Sequence, residues 1–566
     1  MDLAQIRESV RDELTGSGGP YELTVEPVRG VDLPVFRDRF RSVDELFHDS
    51  VARFPEREFL VLEDERLSYA QFAADVAEMA GALRDRYGIE PGDRVAIFAA
   101  NIPAWVTAFF AITRLGAMAA ACNGWWTPDE VRYAIELTEP KLLLGDAKRL
   151  ARLEGVDVPT VDLEAERDQL RGADPVEDAA AAGVTIGEDD PAVLMFTSGT
   201  TGRPKGAVIS HRGLVGFVQC QQANVVEKTK QAERLLGIDI PPSTNQKIVL
   251  GTSPLFHMSG LHATILLNMV EGAKIVYRRG RFDPADVLRL IETERVTNWS
   301  AMGAMGPRVL DELEAGDYDV SSVTGCGFGG APTSEELAER IRRGFPNAAA
   351  AVGAGYGSTE SVAVLVGIGG QEWKDNPAAA GRPVMSMELQ IRDESGQPVP
   401  DGTEGEVYVR SAYNMLEYWR NPEATAETLH PDRWLAMGDI GRIEDDVLYL
   451  NSRARDMILR SAENVYPVEI EHRLEAHPDV SEAAVYGVDH AELGQEVKAV
   501  VVPSPGHAGD ADALIADLET WCAETLARYK VPSLWEVRTE PMPRNATGKV
   551  LKGVLAGERT LDQVEE

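Results

Sequence analysis

Along the first half of the chain, apolar residues recur at helical spacing and then in short unbroken runs, as expected of helices laid on strands. Ser42 with Glu45, and Ser68 with Gln71, are capping-box pairs that open helices. After the second pair, Phe72, Val76, Met79, Ala80 and Leu83 share one helical face that ends near Gly88. Strands are predicted at Arg94–Ala99 and, after a helix opened by Thr127-Pro128 with Glu130, at Lys141–Leu144. Residues 150–190 are rich in Ala, Glu and Asp, lack a clear period, and read as connection. The rhythm resumes with predicted strands at Val193–Phe196, Lys247–Leu250, Lys274–Tyr277, Val296–Ser300 and Ala348–Val352. Helices are predicted between them at Asp286–Thr293 and Ser334–Arg343. This alternation predicts an α/β architecture with parallel-rich sheets. Residues 385–450 turn to short strands and Gly/Pro turns, which predicts a small antiparallel β unit. From about 456 the pattern is compact α+β: helix Val468–Ala476, strands Glu482–Val488 and Glu496–Pro503, helix Ala511–Leu526.

At 566 residues the chain exceeds one compact core; at roughly 150 residues per domain it holds three or four folding units. There are 56 basic against 92 acidic residues, a formal charge of −36, which argues against broad binding of nucleic acid or anionic membrane. Small anionic ligands stay open to a local cluster of cations, and because Arg outnumbers Lys, each Lys is worth locating. Cys122, Cys220, Cys326 and Cys522 are isolated, without CxxC spacing, so a reduced compartment with neither disulfides nor a zinc site is expected. The N-terminal MDLAQIRESVRDEL has no apolar run and does not read as a secretory signal. Ala104–Cys122 carries Arg114 and Gly116 and reads as a buried amphipathic helix, so a cytoplasmic protein is expected.

The strongest local signal is Phe196-Thr197-Ser198-Gly199-Thr200-Thr201-Gly202-Arg203-Pro204-Lys205-Gly206. Glycines allow a tight backbone approach, hydroxyls offer hydrogen bonds and Lys205 adds charge, which are the parts of a phosphate cradle. Neither the glycine spacing nor the residue after Lys205 fits a Walker loop. A polar surface turn is the competing reading. Tyr356-Gly357-Ser358-Thr359-Glu360 follows a run of small residues and offers a flat ring, a hydroxyl and a carboxylate suited to purine, phosphate and Mg²⁺. Asp439 could accept ribose hydroxyls, Arg453 could reach ribose or phosphate, and Lys549 stands on a Gly-bearing loop, PRNATGK. Each of these three, taken singly, reads first as a solvated surface charge.

Together and in this order, TSGTTGRPKG, YGSTE, MGD, NVYPVEIE and PRNATGKVLK resemble the adenylate-forming superfamily of acyl-CoA ligases, luciferases and peptide-synthetase adenylation domains. The resemblance covers essentially the whole chain, and PLFHMSG with ENVYPVEIE is most similar to acyl-CoA ligases. No carrier-protein segment follows, so a peptide-synthetase module is not expected. The resemblance implies an AMP- and acyl-binding domain over 1–452, a hinge at 453–455 with Arg455 on the residue that swings, and a mobile domain over 456–566. It implies ATP, Mg²⁺ and CoA as cofactors and a hydrophobic or cyclic carboxylic acid as substrate. The acid attacks the α-phosphate to give acyl-AMP and pyrophosphate; a thiol then takes the acyl group and AMP leaves.

By the same resemblance, Lys549 binds carboxylate and α-phosphate, Thr359 holds the α-phosphate, and Glu360 holds Mg²⁺. Thr197, Ser198, Gly199, Thr200, Thr201, Gly202 and Lys205 wrap the pyrophosphate. Tyr356 and Gly357 meet adenine, Gly330, Ala331 and Pro332 line the base, and Asp439 and Arg453 hold the ribose. His257 stands at the mouth of the acyl pocket, or is simply a hydrogen-bonded core histidine; Gly329, Gly353 and Gly355 leave that pocket room. A homodimer, or a second ligase that passes acyl-adenylate, is an open partner reading.

The pattern breaks where most of these ligases carry a Gly-Gly pair: here stand Ser461 and Ala462, on the tunnel through which pantetheine reaches the adenylate. Met437, Asp446-Val447 and Ser452 also depart from the family's usual residues. A complete ligase, one half of a divided reaction, and a binding protein without turnover therefore stay open. If the Ala462 methyl obstructs the tunnel, Ala462→Gly speeds thioester formation from supplied acyl-AMP; an unchanged rate removes the obstruction.

Overall fold

The computed structural model describes residues 3–153, 156–197, 204–302, 305–329, 335–362, 364–453, 456–460, 463–490, 494–504, 510–545 and 549–557. Three sheets and a small hairpin, Leu23–Val28 with Val31–Phe36, organise the described residues. The first sheet runs Glu417–Tyr418, Lys205–Ser210, Pro191–Thr197, Met118–Ala121, Arg94–Phe98, Leu142–Gly145, Thr160–Asp162. Its last five strands are parallel and its first two antiparallel. The second sheet has a parallel centre: Gly353–Gly357, Gly325–Gly329, Asn298–Met302, Ile248–Leu250, Lys274–Tyr277 and Glu58–Leu62. Through Val364–Gly369 and Ala379–Pro383 it continues into the antiparallel strands Val447–Arg453, Trp434–Glu444, Gly405–Arg410 and Glu388–Arg392. The third sheet carries the C-terminal unit around Val480–His490 and Gly494–Pro503.

The expected mixed α/β class is what the chain adopts, and most predicted elements lie within two residues of those found. Ser68 with Gln71 and Thr127 with Glu130 close full capping boxes. At Ser42 only half forms: Ser42 Oγ accepts the Glu45 N–H, while the Glu45 carboxylate takes the N–H of Arg41 at 2.7 Å. The strand expected at Ala348–Val352 is instead a 3₁₀ helix, Pro346–Ala351, and the strand begins at Gly353. Alanine has little preference for a pleated surface, and Pro346 suits a first helical turn. The presumed connection 150–190 contains an edge strand, Thr160–Asp162, and buries Leu163, Leu170 and Val176. Ala104–Cys122 divides into a helix, Pro103–Arg114, buried at every position but Ala104, and the buried strand Met118–Ala121.

That helix buries a charge. Arg114 is 1% exposed; its Nε meets Asp44 Oδ1 at 2.9 Å and one Nη donates to the Val176 carbonyl. Asp44 Oδ2 accepts the Ala179 N–H at 3.0 Å, so this pair ties two helices to the connecting segment. Among the described residues no helix is long and apolar enough to cross a membrane. All four cysteines are buried, and burial pushes the thiols of Cys122, Cys220 and Cys326 up to about 12. Asp44→Ala should cost about 3–5 kcal/mol, because Arg114 is left buried without its counter-ion; urea unfolding that shifts by less than about 1 kcal/mol would contradict this role.

Candidate active site

The phosphate-loop motif starts and ends on paired strands. Thr197 and Lys205 are cross-strand partners, with the Thr197 hydroxyl 3.5 Å from the Lys205 carbonyl. Ser198, Gly199, Thr200, Thr201 and Gly202, between them, lie outside the described residues. The Lys205 ammonium sits over the ring of Tyr418, 5.0 Å from its centroid. The Tyr418 hydroxyl donates to Glu360 Oε1 at 2.7 Å. Two motifs 155 positions apart, one from each large sheet, thus meet at one tyrosine.

Thr359 and Glu360 ride on a turn locked from inside. The Ser358 N–H donates to Ser361 Oγ at 2.9 Å, and the Ser361 N–H donates back to Ser358 Oγ at 3.2 Å. Val362, fully buried, leaves this turn at φ +77°, a conformation that β-branched side chains resist and that surrounding packing must hold. Among the described residues nothing donates to Glu360 Oε2. A half-buried carboxylate with one oxygen engaged by a neutral donor and the other unengaged fits a hard divalent cation such as Mg²⁺.

Tyr356 and Asp439 meet directly, the hydroxyl donating to Asp439 Oδ2 at 2.7 Å, which fixes the ring beside Gly357. Asp439 is the cross-strand partner of Arg453. Gly438, before the aspartate, takes φ +68°, where a side chain would be strained. Gly330, Ala331 and Pro332 lie outside the described residues.

His257 caps the short helix Met258–Gly260, and its ring packs beside Phe256 with centroids 4.9 Å apart. The Asn101 amide clamps the turn before it, donating to the Ser253 carbonyl and accepting the Leu255 N–H. Burial lowers His257 to about 4, so its imidazole is neutral at physiological pH. Gly329, Gly353 and Gly355 lie on adjacent strands, and Gly327 pairs with Gly353. The expected open room is partly occupied. A Cβ at Gly353 would lie 2.5 Å from the Ile368 carbonyl oxygen, and one at Gly355 would lie 2.5 Å from Val364 Cγ1. These glycines serve close strand approach, and Val364, 42% exposed, covers Gly355.

Lys549 stands on the C-terminal unit in a loop closed by Asn545. The Asn545 N–H donates to the Lys549 carbonyl and Asn545 Oδ1 accepts the Lys549 N–H, both at 2.9 Å. Arg544 anchors this loop to Glu482 at 2.6 Å. Tyr466 donates to Glu404 at 2.9 Å, joining the C-terminal unit to the antiparallel strands. Arg455, Ser461 and Ala462 lie outside the described residues. Sequence reasoning missed Tyr418, Asn101, Ser361 and Asn545. Of these only Asn545, inside a recognised motif, carried any local signal.

Residues 47–419 match the family described as AMP-binding enzyme, and residues 469–549 match its C-terminal domain. The chain is 33% identical to a feruloyl-CoA synthase of an Amycolatopsis species over 495 residues, covering 86% of this chain and 93% of that protein. It is similar in structure to o-succinylbenzoate CoA synthetase from Bacillus subtilis with its acyl-adenylate intermediate, at 29% identity, TM-score 0.74, and 92% and 99% coverage. The same enzyme with ATP and magnesium gives 29% identity, TM-score 0.72, and 90% and 99% coverage. The chain therefore belongs to the AMP-binding enzyme family, and its class is that of the ATP-dependent acid–thiol ligases.

Because burial holds His257 neutral, stability is lost as pH falls from about 6.5 toward 4. His257→Phe should flatten part of that loss in urea titrations; an unchanged pH slope would mean the imidazole is not desolvated.

Proposed function

We propose that this chain is an acyl-CoA ligase that activates a hydrophobic or cyclic carboxylic acid with ATP and passes the acyl group to CoA. The observation that supports the reading is the meeting of Lys205 and Glu360 at Tyr418, which brings a cation and a half-buried carboxylate to one side chain. The relatives support a ring-bearing acid, as one is named for feruloyl-CoA and the other for o-succinylbenzoate.

The chemistry asks for positive charge where two anions must meet, since a carboxylate attacking a triphosphate is opposed by repulsion. Lys205, Thr197 and the loop Ser198–Gly202 would receive the departing pyrophosphate. Thr359 would hold the α-phosphate and Glu360 a Mg²⁺ ion, which neutralises phosphate charge when bound. Tyr356, its hydroxyl fixed on Asp439, would present a ring to adenine, with Gly330, Ala331 and Pro332 beside the base. Asp439 and Arg453 would take the ribose. Neutral His257, with Gly329, Gly353 and Gly355, would bound the acyl group. Lys549 would be delivered by a C-terminal domain over 456–566 that turns at 453–455 on Arg455, and Ser461 and Ala462 would border the thiol's path.

Two assays test the reading. Carboxylate-dependent pyrophosphate release and CoA thioester formation from supplied acyl-AMP should both occur. One alone would mean a divided reaction shared with a second ligase, and neither, over a broad panel of acids, would favour a binding protein. Lys549→Ala should lower pyrophosphate release by about 100-fold or more while sparing thioester formation from acyl-AMP; equal loss of both steps would contradict its role.

A further inference from the structure

The residues 415–419 touch both the strand that begins with Lys205 and the turn that carries Glu360, and no motif drew attention to them. The Met415 N–H donates to the Glu360 carbonyl at 2.8 Å. The Leu416 N–H donates to the Val208 carbonyl at 2.8 Å, and that of Trp419 to the Gly206 carbonyl at 2.7 Å, on the strand that begins with Lys205. Tyr418 pairs with Ala207, gives its own N–H to Thr425 Oγ1, and is 5% exposed. Its ring therefore stands on a fixed backbone, with a cation on its face and a carboxylate on its hydroxyl.

Lys205 and Glu360 carry opposite charges within reach of the same side chain. Left to themselves they would pair, and the pair would have to be broken before either could meet a nucleotide or a metal ion. The tyrosine gives each a weaker, neutral partner instead. The ammonium is held by the ring's negative face, and one carboxylate oxygen by a hydroxyl that leaves the carboxylate's charge intact. The hydroxyl donates to Glu360 Oε1 at 2.7 Å.

We propose that Tyr418 is a positioning residue that keeps Lys205 and Glu360 apart and aims each at the metal–nucleotide complex. This rests on the nucleotide reading of the site above. The hydroxyl then governs metal-dependent binding, and the ring governs the availability of Lys205.

The test is calorimetric titration of the full chain with ATP, in excess Mg²⁺ and in EDTA, without any acid, so that no turnover is needed. Tyr418→Phe should weaken ATP binding in Mg²⁺ by about 10-fold, the loss of one hydrogen bond to a charged group, and leave binding in EDTA within about twofold. Tyr418→Leu should weaken binding in EDTA as well, and adding Glu360→Gln to it should restore the EDTA value by releasing Lys205. Thermal melting of each variant separates misfolding from misplacement, and Tyr418→Phe, which keeps the ring, decides the case should the leucine variant unfold. If wild type binds ATP and Tyr418→Phe matches it under both conditions, the inference is overturned while the nucleotide reading stands. If wild type binds no ATP under either condition, both fall together.

Discussion

Two sheets that share no strand are tied together by the backbone of residues 415–419. Their N–H groups reach the strand Lys205–Ser210 of one sheet, on which Glu417–Tyr418 forms the edge, and the turn that follows Gly353–Gly357 of the other. The candidate site depends on this tie, because Lys205 and Glu360 arrive from different sheets. Edge pairing costs little and fixes direction, since each hydrogen bond sets the register of the next. A neutral aromatic side chain at that junction lets opposite charges stand close without cancelling.

The overall charge of −36 sharpens the point. A polyanionic ligand approaching such a surface is repelled at long range, and only a short-range arrangement of donors and a cation can hold it. Ion pairs engage many of the chain's arginines, as with Arg66 between Glu58 and Glu294 or the buried Arg39 side chain between Glu26 and Glu188. Lys205 stands on an aromatic ring rather than on a carboxylate, a partner that does not neutralise its charge.

The strands around Gly353 and Gly355 are held differently, by backbone closeness instead of charge. Glycines at 353 and 355 bring strands and the Val364 side chain nearer than any larger residue would allow. The clamp of Asn101 on the turn before His257 sets a neutral imidazole beside Phe256. These are packing constraints, which the count of small residues does not convey.

Periodicity alone determined the α/β alternation, the capped helices at Ser68 and Thr127, and the change to antiparallel strands after 385, because each rests on neighbours a few positions apart. The ordered motifs singled out Lys205, Tyr356, Thr359, Glu360, Asp439 and Lys549, of which the fold brings Tyr356 to Asp439 and sets Lys205 and Glu360 on one tyrosine. The alanine run before Gly353, helical rather than extended, and the segment 160–176, which buries Val161, Leu163, Leu170 and Val176, were misread because their local signal is weak and tertiary packing overrides it. Tyr418 between Lys205 and Glu360, the bond from Tyr356 to Asp439, and the cover of Val364 over Gly355 were decided only by the tertiary structure. Each joins residues whose distance along the chain carries no periodic trace, so the contact exists only once the sheets have packed.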